Sequence, residues 1–257
     1  MYTNRGILPS EMERLTKTLQ KFGVSHEHFQ SVCKNPKHAQ IVANAFKIHE
    51  KNTYSYALHI LGEDFISPEE IMLSTNHFYR GNTLRHFVNT FPSLKAIEWI
   101  AKHQFRLIAG PSRPLNLLKV KQIDPSFFYK REKYWWCGNQ RQRFSRKDTV
   151  ESEWYVLSKK PLVHSMGKTW EEQKELLPEG SFVPNIAEFA WCNTVFRKVH
   201  RFCPLTNIHT RTSSLDSEGN HVTAGSQFTS LHIDSCWDDW SHPYLGLIAA
   251  YKKFFLF

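Results

Sequence analysis

The chain has 257 residues, of which 41% are hydrophobic and 14% aromatic, and its formal net charge is +9. This apolar content is ample for a packed core and excludes global disorder, whereas the apolar runs are too short to span a bilayer. Because the N-terminus lacks an apolar signal segment and the five cysteines form no CxxC pair, we expect a cytoplasmic protein with reduced thiols.

Helix signals dominate the first part of the chain. Ser10 and Glu13 form a capping-box pattern ahead of apolar residues at helical spacing up to Gly23, and a second helix is predicted to begin at Asn35 and Pro36. Four further helices are predicted at 54–61, from 68 onward, at 83–89 and at 93–103. These patterns predict an α-helical N-terminal region over residues 1–110.

A cluster of glycine and proline at 109–114 marks a predicted domain boundary, so that the second domain spans 111–257. Strands are predicted at 115–123, 126–129 and 154–157, helices at 168–177 and 185–200, and short strands from 205 onward with a turn at 216–220. Since strands are grouped apart from helices, without βαβ alternation, the sequence predicts an α+β fold with mostly antiparallel strands and two helices in this domain.

Much of the positive charge is concentrated at 129–147, where seven lysines and arginines stand against one glutamate, a net charge of +6. Aromatic residues alternate with these charges, as in surfaces that bind single-stranded nucleic acid. The candidate residues for this alternative function are Lys130, Arg131, Lys133, Trp135, Trp136, Arg141 and Arg143. The competing interpretation is a solvated hairpin whose aromatic residues face the core.

The last fifty residues favour recognition over chemistry. Short strand-like runs alternate there with turn residues, and Trp237-Asp238-Asp239-Trp240 lies in a polar, aromatic loop just before a short apolar strand predicted at 245–250. A rigid strand beside such a loop is a common way to present a binding surface.

Several segments resemble one family. They are WYVLSKKPLVHSMGKTWEEQKELL, VPNIAEFAWC, HTRTSSLDSEGNHVTAG, WDDW and LGLIAAYK. The chain is similar, over roughly residues 55–253, to bacterial and phage-associated variable proteins of diversity-generating retroelements, which end in a C-type-lectin-like domain. The resemblance implies a C-type-lectin-like fold for the second domain.

The resemblance also implies a non-enzymatic display protein whose C-terminal face binds a protein or other macromolecular target. In that family an error-prone reverse transcriptase rewrites selected positions on this face. The positions here that would be variable and ligand-binding are His221, Thr223, His232, Asp234, Ser235, Trp240, Ser241, His242 and Tyr244. Those that would be framework are Arg211, Gly225, Trp237, Asp238 and Gly246, and Trp237 is expected in the core.

Chemical alternatives have weaker support. Asp234, Asp238 and Asp239 do not have the spacing of a known calcium loop, and a zinc site of histidines with Cys236 would need tetrahedral convergence. A Cys/His nucleophile lacks an orienting partner that can be chosen from the sequence. An enzyme like the formylglycine-generating relatives of this fold would need paired cysteines, and Cys236 stands alone near the C-terminus. We therefore expect no catalytic residue, metal or cofactor.

Overall fold

A computed structural model describes residues 16–17, 25–35, 38, 52–129, 136, 142–205, 207–227 and 230–252. The chain divides into two compact units, Met1–Lys51 and Asn52–Phe257. The first unit contains helix α1, His26–Lys34, which begins after Ser25 because the serine hydroxyl accepts a hydrogen bond from the His28 amide at 3.4 Å. The sequence patterns do not predict this helix. The two helices predicted on either side of it lie almost wholly outside the described residues.

The second unit opens with helices at the predicted places. The Ser67 hydroxyl accepts from the Glu70 amide at 3.1 Å, and the Glu70 carboxylate accepts from the Ser67 amide at 2.9 Å, so the capping box forms with Pro68 in the first turn. The elements of this part are α2 (Asn52–Leu61), a 3-10 turn (Gly62–Asp64), β1 (Phe65–Ile66), α3 (Pro68–Ser74), α4 (Gly81–Asn89) and α5 (Leu94–Lys102). The helices predicted from residue 54 to residue 103 are confirmed.

A four-stranded sheet forms the centre of this unit, in the order β1-β2-β5-β10. Strands β2 (Phe105–Ala109) and β5 (Trp154–Ser158) are buried throughout and pair antiparallel along their full length, and β10 (Ala250–Tyr251) pairs with β5. Because β2 precedes residue 110 and β5 follows it, the two sides of the predicted boundary share one sheet.

The chain divides between residues 51 and 52, not between 110 and 111. The glycine and proline cluster instead forms a tight passage inside the second unit. The Gly110 amide donates to the Glu153 carbonyl at 2.8 Å, and a Cβ on Gly110 would lie 2.2 Å from the Glu151 carbonyl oxygen. Only glycine allows the backbone this close an approach.

The segment after this passage corrects two predicted strands. Residues 115–123 form a short strand β3 (Leu115–Asn116) and then helix α6 (Leu117–Ile123), because the Asn116 side chain accepts from the Lys119 amide at 3.1 Å and starts a helix. Residues 126–129 contribute an isolated bridge between Phe128 and Leu231 instead of a strand. Helix α7 (Phe144–Lys147) and strand β4 (Thr149–Val150) follow, and β4 pairs with β3.

Two helices follow at the predicted places: α8 (Trp170–Lys174), which is shorter than the predicted 168–177, and α9 (Ile186–His200). Every residue of α9 from Ile186 to Phe196 is buried, which makes it the central helix of the unit. Like the other helices in the described ranges, it lacks the combination of length and apolarity needed to cross a membrane.

The C-terminal sheet has the order β8-β7-β6-β9. Its strands are β6 (His209–Leu215), β7 (His221–Gln227), β8 (Ser230–Cys236) and β9 (Leu245–Leu247). Neighbouring strands are antiparallel except β6 and β9, and the predicted turn at 216–220 joins β6 to β7. The strand predicted at 245–250 is in fact two strands, since β9 joins this sheet and β10 joins the central one. The α+β class with mostly antiparallel pairing is confirmed.

We predict that Gly225→Ala lowers the free energy of unfolding by about 2 kcal/mol or more, because the added Cβ would lie 2.3 Å from the Ile208 carbonyl oxygen and 2.9 Å from the His209 Cα. Chemical denaturation measures this change. The matched control is Gly81→Ala at the start of α4, where no heavy atom lies within 4 Å of the new Cβ and stability should be unchanged or slightly raised. Equal stability of the two variants would contradict the close packing of β6 against β7.

Candidate functional site

The C-terminal sheet has two chemically different faces. Side chains alternate along a strand, so Val222 and Ala224 of β7 lie on the side where α9 packs, and Thr223 lies on the other. In the register of the sheet, Thr223 pairs with Arg211 of β6 and with Asp234 of β8. These three residues therefore share the second face, which is polar and carries the candidate site.

A loop covers part of this polar face. We call it the WDDW loop; it comprises residues 237–244 between β8 and β9. Arg211 lies fully buried beneath it and holds it in place. Its Nη2 donates to the Trp237 carbonyl at 3.2 Å and to the Trp240 carbonyl, and its Nη1 donates to the Lys168 carbonyl at 3.1 Å and to Gln173 Oε1 at 2.9 Å. The guanidinium thus joins β6, the WDDW loop and the segment around α8.

The Arg211 charge is met by neutral acceptors. Among the described residues, no carboxylate forms an ion pair with it. Gln173, which accepts from Arg211, itself donates to the carbonyls of Ser165 at 2.8 Å and Leu245 at 3.1 Å. A buried charge is tolerable when most of its donors are hydrogen-bonded, so the acceptors around the two Nη atoms are what allows Arg211 to be buried. The buried Nε has no hydrogen-bond partner among the described residues.

A second fixing point lies at the start of the WDDW loop. His221 Nδ1 donates to the Asp238 carboxylate at 2.5 Å, and its ring stacks on Trp170 with 3.8 Å between the ring centroids. The Trp170 amide in turn donates to the Asp238 carbonyl at 2.8 Å. Asp238 is therefore tied to the scaffold through both its side chain and its backbone.

A cleft with a volume of about 600 Å³ lies beside the WDDW loop. This volume is within the size range of ligand sites. It is lined by Asn207, His209, Thr223, Asp234, Ser235, Cys236, Trp240, His242, Tyr244 and Leu245. The lining comes from β6, β7, β8, the WDDW loop and the start of β9, so that rigid strands and an anchored loop together shape it.

A row of aromatic rings follows the WDDW loop at the cleft. The centroids of Trp240 and His242 are 5.2 Å apart, and those of His242 and Tyr244 are 5.5 Å apart. Trp240 is 45% exposed and Tyr244 is 62% exposed. Large aromatic side chains that remain this accessible in a concave site are typical anchors for a partner.

Burial controls the ionisation of two groups at the cleft. Desolvation lowers the pKa of His209, with His242 adding to the effect and the Asp234 carboxylate opposing it. Desolvation also raises the pKa of the Cys236 thiol against the opposing charge of Arg211. At neutral pH, His209 is therefore uncharged and Cys236 is a thiol, which is a poor nucleophile.

Six of the nine residues expected to bind a ligand line this cleft: Thr223, Asp234, Ser235, Trp240, His242 and Tyr244. Ser241 is exposed on the WDDW loop beside it. His232 lies on β8 and stacks on Tyr129 with 3.9 Å between the ring centroids. His221, also expected to bind a ligand, is only 9% exposed, and its side chain is hydrogen-bonded to Asp238.

The residues expected to be framework also fall into two groups, one buried and one exposed. Arg211, Gly225 and Gly246 are buried in tight contacts, as expected for a scaffold. Trp237 was expected in the core, but its side chain is 68% exposed. The reason is that Arg211 holds this residue by its carbonyl, which leaves the indole free to point outward.

Four lining residues were not predicted: Asn207, His209, Cys236 and Leu245. His209 faces Gly225 on one neighbouring strand and Leu245 on the other. A glycine opposite a bulky polar residue is a signal of a cleft, but it can be recognised only once the register between the strands is known.

The alternative nucleic-acid surface is placed only in part. Lys130, Arg131, Lys133, Trp135 and Arg141 lie outside the described residues, and Arg143 is exposed. Trp136 is 2% exposed, with the Lys121 ammonium 5.3 Å from its ring centroid. Its indole is therefore not available to stack on a base, which corrects its expected role.

The described residues contain no candidate metal site, since no three histidine, cysteine, aspartate or glutamate side chains cluster there in a way that could hold an ion. Cys192, Cys203 and Cys236 form no disulfide bond. Cys192 lies in the core, and this burial raises the pKa of its thiol.

Comparison with protein-family models, curated proteins and solved structures finds no match to this chain. The functional assignment therefore depends on the geometry of the cleft and on the resemblance carried by the C-terminal motifs.

We predict that Arg211→Met lowers the free energy of unfolding by about 3 kcal/mol, since it keeps the volume of the side chain but leaves several buried carbonyls without a donor. Chemical denaturation followed by tryptophan fluorescence measures the loss.

The matched control is Trp237→Ala in the same loop, whose exposed side chain should contribute less than about 0.5 kcal/mol. An Arg211→Met variant as stable as the control would mean that the loop does not depend on the guanidinium.

Proposed function

We propose that this chain is a non-enzymatic binding protein in which a C-type-lectin-like domain presents the cleft and the WDDW loop to a protein or other macromolecular target. In this proposal it belongs with the variable proteins of diversity-generating retroelements and works in the cytoplasm. Cys192, Cys203 and Cys236 form no disulfide bond, which fits a reducing compartment of that kind.

The observation that carries the proposal is the separation of two sets of neighbouring residues. The family pattern marks nine positions as variable, and six of these line one cleft. The same pattern marks Arg211, Gly225, Trp237, Asp238 and Gly246 as constant; Arg211, Gly225 and Gly246 are buried, whereas Trp237 is exposed and Asp238 half-buried. This grouping in space, with His221 and Trp237 as exceptions, supports different roles for the scaffold and the surface.

The chemistry of the surface supports binding. Trp240 and Tyr244 offer large, half-exposed rings with few rotatable bonds, which gives contact area at low entropic cost. Thr223, Asp234 and Ser235 add polar groups that can set orientation. Cys236, the thiol at the cleft, is held in its protonated form by burial, which argues for recognition instead of nucleophilic catalysis.

We predict that replacing Trp240, His242 and Tyr244 with alanine abolishes target binding while the melting temperature changes little, because all three rings lie at the surface of an anchored loop. The probe is a set of peptides selected from a random phage-displayed library against the wild-type chain. Binding of each selected peptide is then measured to both proteins.

The matched control replaces three exposed apolar residues elsewhere, Leu73, Phe78 and Val163, with alanine. The control should keep the peptide affinity of the wild type. The proposed function would be overturned if the selected peptides bound the cleft variant as tightly as the wild type, or if that variant failed to fold while the control folded.

A further inference from the structure

The cleft differs in charge from the rest of the chain. Although the chain carries a formal charge of +9, the described residues that line the cleft include neither lysine nor arginine, and Asp234 is their single carboxylate. No lysine or arginine in the described ranges forms an ion pair with Asp234, whose Oδ1 accepts the amide of the adjacent Ser235 at 2.9 Å. Asp239, exposed on the WDDW loop, adds a second negative charge to the same end of the domain.

Aromatic rings line the same cleft as this carboxylate. The row of Trp240, His242 and Tyr244 lines the cleft with Asp234. His232 lies two residues before Asp234 on β8, on the same face of the strand, and stacks on the half-exposed ring of Tyr129. Faces of aromatic rings attract cations, and most strongly when a carboxylate is also within reach.

The imidazole of His209 does not offset the negative charge of Asp234. The Tyr244 amide donates to His242 Nδ1 at 3.3 Å, so this nitrogen acts as a hydrogen-bond acceptor. His209 is uncharged at neutral pH, because desolvation lowers its pKa. The accessible lining of the cleft thus carries one carboxylate charge among aromatic rings, whereas the nearby cation, Arg211, is fully buried and donates to carbonyls and to Gln173.

We propose that the cleft receives a cationic side chain, best met by arginine, on an exposed segment of the partner protein. This inference rests on the proposed function and adds the chemistry of the partner. A guanidinium is planar, so it can stack on an indole or phenol ring and donate two hydrogen bonds to one carboxylate. The ammonium of lysine offers the charge without the planar fork.

The test uses the full chain and three capped pentapeptides with two glycines on each side of a central arginine, citrulline or glutamate. Citrulline has the shape of arginine without its charge. Titration followed by tryptophan fluorescence should give saturable binding of the arginine peptide at millimolar concentration, with the citrulline peptide at least about tenfold weaker, a difference of about 1.4 kcal/mol. The glutamate peptide should not bind.

A charge variant makes the test specific to the cleft. Asp234→Asn should weaken the arginine peptide about tenfold and leave the citrulline peptide unchanged, because it removes the carboxylate charge at constant shape. The matched control is Glu179→Gln, which removes an exposed carboxylate charge at a residue outside the cleft lining and should leave both affinities unchanged.

The inference would be overturned by any of three results: no saturable change with the arginine peptide, equal affinity for arginine and citrulline, or no effect of Asp234→Asn. It also fails independently of the proposed function. If the phage-selected peptides lose binding to the triple alanine variant but contain no arginine or lysine, the chain is a binding protein whose target is not recognised through a cation.

Discussion

The buried guanidinium of Arg211 joins three parts of the chain at one point: β6, the WDDW loop and the segment around α8. The WDDW loop contains no regular strand or helix of its own, so its carbonyls need donors from elsewhere. Arg211 supplies them at Trp237 and Trp240, and also holds Gln173 in α8. Since His221 fixes Asp238 from the adjacent strand, the loop is held at several points that all involve backbone or buried polar groups. The cleft has a defined shape because of this anchoring.

Anchoring a loop through its backbone has a consequence for its side chains. Trp237 and Trp240 contribute carbonyls to the scaffold, while their indoles remain exposed. Side chains at such positions can change without removing the interactions that hold the loop. This is the physical requirement for a surface that is altered repeatedly on a constant fold. It agrees with the variable role that the family resemblance implies for Trp240, but not with the framework role that it implies for Trp237.

The sequence was informative where a local interaction decides the structure. Capping residues such as Ser67 and Asn185 mark the starts of α3 and α9, and glycine ends α2 after Leu61. The sequence pattern was misleading at 115–123. Leu117 and Val120 are both fully buried, and their spacing of three residues suits a helix. The alternation of apolar and polar residues in this short run obscures that spacing. The exposure of Trp237 and the burial of His221 could not be predicted, because both depend on which backbone groups Arg211 and Trp170 reach across the sheet. The position of His209 in the cleft likewise depends on strand register, which no local pattern specifies.

The central claim is that scaffold and surface are separate sets of residues in one small region. The most direct measurement compares two combinatorial libraries, one randomised at Asp234, Trp240, His242 and Tyr244 and the other at Trp170, Gln173, Arg211 and His221. Both are displayed on a cell surface, and the fraction of variants that resist protease is counted. Most members of the first library should remain folded, whereas few members of the second should. Equal fractions in the two libraries would contradict the claim.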